Sequence, residues 1–151
     1  MSQVQVKIEI HAPIERVWET VMDPDRLGEW VTIHRSISNV SGKPLDLGAT
    51  MDQSIHMRGV TFKVHWTLEQ VTAPRIAVWA GRGPAHSNAR IRYELSEISD
   101  GTTLFEYTND FRPPAGRLGA VASRVVIGAA SEREARKTLE RLKELLEHSD
   151  S

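Results

Sequence analysis

The 151-residue sequence predicts an α+β domain in which an antiparallel sheet of about seven strands packs against a long C-terminal helix. Three observations carry that expectation. The opening residues alternate, with Val4, Val6, Ile8 and Ile10 on one face and Gln3, Gln5, Lys7 and Glu9 on the other, the period of a half-buried strand. From Ile33 to Phe111, six strand-like runs are separated by turn signals at Ser41-Gly42-Lys43-Pro44, Arg58-Gly59, Ala73-Pro74, Gly83-Pro84 and Asp100-Gly101. Beyond Pro113-Pro114, a helical stripe of Leu118, Val121, Ala122, Val125 and Ala129 resumes as Leu139, Leu142 and Leu146 and runs to His148. The length suits one domain, which we expect over residues 1–148, with residues 149–151 as a disordered tail.

Composition narrows the class. With 40% hydrophobic and 26% charged residues the chain reads as globular rather than disordered or fibrous. Nineteen basic residues against twenty acidic ones give a net charge of -1, which lacks the basic footprint of a nucleic-acid binder. No apolar run approaches the ~20 residues that span a bilayer, and the start resembles no targeting peptide, so a cytoplasmic location is expected. Without cysteine there is no disulfide, thiolate zinc site or thiol nucleophile.

The individual elements follow from local chemistry. Ala12-Pro13 ends the first strand, and Ile14, Val17, Trp18, Val21 and Met22 then recur at helical spacing behind a first-turn proline. Asp23 caps a second short helix that carries Pro24 at its first position and runs to about Trp30. Taking Gly59-Val60 as a type II′ loop sets Met57 opposite Phe62, Ile55 opposite Val64, Gln53 opposite Trp66 and Met51 opposite Leu68. Later strands place Ala89, Ile91, Tyr93 and Leu95 on one face, and Phe105, Tyr107, Asn109 and Phe111 on another. For the strand around Trp79 both faces stay open, Ile76 with Val78 against Ala77 with Trp79. After Gly128, Ser131-Glu132-Arg133-Glu134 reads as a capping box, so the C-terminal helix kinks or restarts there.

Several segments carry a resemblance: Ile10-His11-Ala12-Pro13-Ile14-Glu15-Arg16-Val17-Trp18, Asp23-Pro24-Asp25-Arg26, Gly81-Arg82-Gly83-Pro84, Gly101-Thr102-Thr103 and Leu139-Glu140-Arg141-Leu142-Lys143. Over essentially its whole length the chain resembles the SRPBCC or START-like helix-grip superfamily, most closely its bacterial polyketide cyclase/dehydrase branch. The resemblance implies a curved antiparallel sheet gripping the C-terminal helix, with a hydrophobic cavity between them. Members include lipid carriers, hormone receptors, ring cyclases, chaperone activators and hydroxylase subunits, so the fold alone does not fix the function.

Face parity proposes the lining of such a cavity. It would comprise Trp30 from the short helices, Met51, Gln53, Trp66, Tyr93, Tyr107 and Asn109 from the sheet, and Leu118, Val121 and Val125 from the long helix. Trp79 joins them if its strand turns that way, and Gly81 and Gly83 would then leave open volume beside Trp66, although Gly81-Arg82-Gly83-Pro84 also reads as simple strand-end punctuation, the reading we favour slightly. Apolar members of this set equally suit plain core packing. The amides of Gln53 and Asn109 say more, because a buried amide must meet a partner side chain or orient a ligand.

Catalytic signals are sparse. His34 falls near the expected cavity mouth and, with Tyr93 and Tyr107, is the candidate for moving a proton. His56 and His65, on the outer face of the hairpin, form no recognised metal spacing, so we expect no metal and no cofactor. Ser54, Ser87 and Ser123 lack the context of a catalytic serine, Glu132 reads as a solvated acid near the helix stripe, and Arg90, Arg92 and Glu94 read as an exposed charge ladder. The preferred reading is a protein that binds a small hydrophobic, lipid- or polyketide-like ligand. The alternative is a polyketide cyclase/dehydratase-type enzyme using the same cavity. The expected partner is that small molecule, with no nucleic acid and no integral membrane association, and a homodimer stays open.

Overall fold

A computed structural model describes residues 2–42, 45–114 and 120–148, and only the backbone at residues 2 and 121. Residues 149–151, expected as a tail, lie outside the described residues, as do Leu118 and the Lys43-Pro44 half of the first turn. Strand β1 (Ser2–Ile10) realises the opening alternation, with Val6 and Ile10 buried and Gln3, Gln5, Lys7 and Glu9 exposed. Helix α1 (Ile14–Val21) follows Pro13 and buries Ile14, Val17 and Val21. The Asp23 carboxylate then accepts the Asp25 N–H at 3.0 Å and starts a 3₁₀ turn, Pro24–Arg26, that leads into α2 (Leu27–Trp30).

Six further strands complete the sheet: β2 (His34–Ser38), β3 (Thr50–Met57), β4 (Val60–Thr72), β5 (Ile76–Arg82), β6 (Asn88–Ser99) and β7 (Thr102–Arg112). The seven strands pair antiparallel in the order β1-β7-β6-β5-β4-β3-β2 and curl into a half-barrel. The β3–β4 register differs from the sequence expectation. Arg58 and Gly59, not Gly59 and Val60, form the loop, and Met57 pairs with Val60, Ile55 with Phe62, Gln53 with Val64 and Met51 with Trp66. Both loop residues have positive φ, 50° at Arg58 and 82° at Gly59, which is the type I′ pattern suited to strand twist. The strands are thus displaced by two residues, which preserves parity and keeps every side chain on its expected face. Strand β5 resolves the other open choice: Ala77 and Trp79 join the main core, and Val78 lies on the opposite face.

The expected single C-terminal helix is two, α3 (Ala120–Ala129) and α4 (Glu132–His148). Ser131 restarts the chain, its hydroxyl accepting the Glu134 N–H at 3.3 Å and its carbonyl the Ala135 N–H at 3.0 Å. Helix α4 lies along β1 and α2 and buries Leu139, Leu142 and Leu146 to 1% exposure or less. Each such side chain contributes about 1.5–3 kcal/mol relative to an exposed one. The helix is also tied down at its end, where the Lys143 ammonium donates to the Glu9 carbonyl at 2.7 Å and to Glu147, whose carboxylate accepts the His11 N–H at 2.8 Å.

The turn yields a test. Arginine is strained at positive φ while asparagine tolerates it, so Arg58→Asn is expected to stabilise the fold by about 0.5–1 kcal/mol, read as a higher urea midpoint at unchanged slope.

Candidate functional site

Between the concave face of the sheet and the helices lies a cavity of about 130 Å³, several times the space one water needs. Its wall is mostly apolar. Trp30, Trp66 and Trp79, three of the four tryptophans, line it with both tyrosines, Tyr93 and Tyr107. Phe62 and Phe111 add two more rings, and Met51, Ile55, Val64 and Ile91 supply aliphatic surface from the strands.

On the β3–β4 side a hydrogen-bond chain fixes the wall. The Trp66 indole N–H donates to Gln53 Oε1 at 2.9 Å, and Gln53 Nε2 lies 2.9 Å from His34 Nδ1. An indole can only donate, so Gln53 accepts with its oxygen and donates with its nitrogen, which leaves His34 Nδ1 as an acceptor and the proton of the neutral ring on Nε2. Burial also holds the His34 pKa below its usual 6.5, in keeping with a neutral ring. Gln53 therefore meets partner side chains at both ends. His34 stands behind the wall and not on it.

The tryptophan that heads this chain needs Gly81. A Cβ at Gly81 would stand 2.5 Å from Trp66 Cζ3, so the indole lies directly against bare backbone in β5. The open volume expected beside Trp66 at Gly81 is thus occupied by Trp66 itself. Gly83 is similarly close to the Ser87 hydroxyl, which a Cβ would meet at 2.6 Å.

On the β6–β7 side the aromatic rings touch, Trp30 and Phe105 edge to face with Tyr93, and Tyr107 tilted at 33° to it. Trp30 and Tyr93 have centroids 6.1 Å apart, Tyr93 and Phe105 5.4 Å, and Tyr93 and Tyr107, cross-strand partners, 6.3 Å. Burial pushes the Tyr93 phenol well above its usual 10, helped by neighbouring Tyr107. Tyr107, although partly accessible, is raised by burial too, with the Asn109 amide N–H beside it acting in the opposite direction. Two buried polar atoms here have no hydrogen-bond partner, Trp30 Nε1 and Asn109 Oδ1. Their residues are 1% and 5% exposed, and both line the cavity.

Eight of the residues expected to line the cavity therefore do so: Trp30, Met51, Gln53 and Trp66, and Trp79, Tyr93, Tyr107 and Asn109. Val125 does not. It is buried at 3% exposure, but the neighbouring Val126 forms the wall. Leu118 and the Val121 side chain lie outside the described residues. Glu132 is solvated, as expected, and the acid on the wall is one that the sequence reading did not single out. Glu132 is exposed and pairs with Arg136, whereas Glu134 is largely buried, lines the cavity and accepts the Thr32 hydroxyl at 2.6 Å. Thr138, also on the wall, accepts the Thr32 N–H at 3.2 Å. The spacing of Glu134 and Thr138, one turn apart, was the available signal once the helix is restarted at Ser131. On the outer face His56 bonds Thr61, His65 bonds Asp52, and Arg92 pairs with Glu94.

A curled sheet gripping a C-terminal helix over an aromatic cavity defines a helix-grip protein. The chain belongs to the family described as polyketide cyclase / dehydrase and lipid transport, which matches residues 1–147. Its fold is similar to the crystal structure of the Zhui aromatase/cyclase from Streptomyces sp. R1128, with a TM-score of 0.82 at 15% identity over 99% of this chain and 96% of that one. DynU16, a putative protein of the dynemicin biosynthetic locus, superposes with a TM-score of 0.67 at 20% identity over 97% of this chain, which spans only 48% of that protein. Toxin Rv0910 of Mycobacterium tuberculosis (strain ATCC 25618 / H37Rv) is 21% identical over 140 residues, 93% of this chain and 94% of that protein.

Two predictions test the wall. Gly81→Ala is expected to expel Trp66 from its seat, lower stability by about 1–3 kcal/mol, and red-shift tryptophan emission as the indole loses Gln53. His34 sets a pH dependence. Above 6.5 it is neutral in both states; below that, the unfolded chain takes a proton that the folded one resists, so stability falls as pH drops. Urea midpoints at pH 7.5 and 5.5 should show that fall, and His34→Gln should reduce it.

Proposed function

We propose that the protein binds a small hydrophobic, lipid- or polyketide-like molecule in the cavity between sheet and helices. One observation carries the reading: three tryptophans and both tyrosines surround space that their own side chains leave open. Protein interiors normally pack to few voids larger than a water, and a predominantly apolar chamber with a few polar groups is the usual form of a small-ligand site. Removal of apolar ligand surface from water, worth about 25 cal/mol per Å², would supply most of the affinity. The ligand-contacting residues would be Trp30, Met51, Gln53 and Trp66, with Trp79, Tyr93, Tyr107 and Asn109 on the remaining strands. The chain would act in the cytoplasm. Among the described residues, no helix is long and apolar enough to cross a membrane.

A cyclase- or dehydratase-type reaction in the same cavity is the second reading, favoured by the family description and by the named activity of the Zhui protein. It needs a group that exchanges a proton near neutral pH. Burial makes both tyrosines reluctant acids, and His34 reaches the wall only through Gln53, so binding without turnover is the stronger reading.

Native mass spectrometry of freshly purified protein, beside a denatured and solvent-extracted sample, tests the proposal and reads whether the chain is a homodimer. A reproducible small-molecule adduct is expected, and its unchanged mass after incubation would favour carriage over conversion. Uniformly ligand-free protein that also gains no thermal stability from any apolar compound in a screen would refute it.

A further inference from the structure

Positive and negative charge are nearly equal in number and unequally placed. The sequence has no aspartate or glutamate over residues 53–68, 70–93 and 111–131. Antiparallel pairing brings the ends of those stretches together. Met57 pairs with Val60 beside the Arg58-Gly59 turn, His65 with Arg82, and Asn88 with both Arg82 and Arg112, so the β3–β4 turn, the β5–β6 link and the end of β7 share one end of the sheet. Helix α3 reaches the same end, where a Cβ at Gly128 would meet the Met57 side chain at 3.4 Å. Arg35, Arg58, Lys63, Arg82, Arg112 and Arg124 are exposed there. The acids bordering them are engaged: Asp52 with Asn39 and His65, Glu132 with Arg136, and Glu134 with Thr32, while Asp110 stands opposite Arg90. At the other end, where Ile10 pairs with Thr103, Glu9, Glu15, Glu97 and Asp100 are exposed instead.

The basic end also exposes apolar surface. Arg124 is the one charge in α3, whose outward positions Ala120, Arg124 and Ile127 follow helical spacing, and Ile127 is 47% exposed. Helix α4 differs, turning Arg133, Arg136, Lys137 and Glu140 to solvent. Cations alone suit any polyanion, including an acidic protein. A bare aliphatic side chain between cations suits a lipid surface better, because it gains by entering the headgroup region while the cations stay at the phosphates. The inner side of α3 forms cavity wall through Val126 and Ala129, as Phe62 does from β4, so the basic and apolar face lies over the cavity.

We propose that this end docks peripherally on an anionic lipid surface, with Arg58, Lys63 and Arg124 against the lipid phosphates and Ile127 among the headgroups. The docking is separate from the binding function proposed above and does not need the cavity to be filled. Together with that function, it sets the cavity against the phase in which an apolar ligand dissolves.

Flotation of the full chain with vesicles of phosphatidylcholine, alone or with about 30% phosphatidylglycerol, tests the docking. Binding is expected to the mixed vesicles in about 50 mM salt, to be lost near about 300 mM, and to be negligible on phosphatidylcholine alone. Arg58→Asn and Arg124→Gln should each weaken the partition about fivefold, and Ile127→Ser about fivefold or more, whereas Arg75→Gln, exposed at the other end, should leave it unchanged. All four side chains are exposed or in a turn, and thermal midpoints verify that each variant is folded. Absence of binding to the mixed vesicles, or an equal loss in Arg75→Gln, overturns the docking. An Ile127→Ser variant that binds as before, or binding to soluble polyglutamate as tight as to vesicles, overturns the lipid assignment and makes the face one for an acidic protein. Native mass spectrometry reads the cavity independently, so failure of the docking leaves the proposed function standing.

Discussion

Leu139, Leu142 and Leu146 of α4 are fully buried against β1 and the concave face of the sheet, so the C-terminal part of the helix leaves no space beneath it. Toward its start the same helix presents Glu134, Ala135 and Thr138, and α3 brings Val126 and Ala129. These side chains are too short, or too polar, to reach the far wall. The sheet answers with aromatic rings that line the gap without filling it. A leucine stripe that stops two turns short is therefore the constraint from which the cavity follows, since close packing elsewhere fixes the distance between helix and sheet.

Two different solutions keep that gap open. On the β3–β4 side polar groups satisfy one another, Trp66 to Gln53 to His34, and Gly81 gives the indole a flat seat. A network bonded at every link is rigid and offers little to a ligand. On the β6–β7 side Trp30 packs edge to face on Tyr93 and Tyr107 lies tilted against it, while Trp30 Nε1 and Asn109 Oδ1 stay unbonded. The bonded and the unbonded polar groups thus lie on different sides of the space. Thr32, Glu134 and Thr138 join the loop after α2 to α4 beside this space, so the cavity wall and the helix restart share one set of hydrogen bonds.

The same distribution bears on chemistry. A proton-transfer site asks for a titratable group whose pKa is tuned toward neutrality and whose reacting atom faces the substrate. The tyrosines are displaced away from neutrality, and the histidine spends its free nitrogen on Gln53. Family membership fixes the scaffold over residues 1–147, and scaffolds of this kind are read for function through the residues on the cavity wall.

Much of the fold was legible in the sequence because period-two and period-3.6 patterns report which face is buried, and parity survives small errors of register. The β3–β4 hairpin shows this: the loop was misplaced by one residue and the pairs by two, yet Met51, Gln53 and Trp66 still faced inward. What failed were features set by long-range contacts. Val126 and not Val125 lines the cavity, and Glu134, which the sequence pattern did not single out, bonds Thr32 from 102 residues away. No local pattern reveals that Trp66 fills the room beside Gly81, or that Gln53 is bonded at both ends while Asn109 Oδ1 is bonded by nothing. The sequence by itself determined the elements, their order and their inward faces, because those depend on neighbours along the chain. The tertiary structure alone decided which inward side chains close on one another and which are left facing open space, because that depends on partners dozens of residues away.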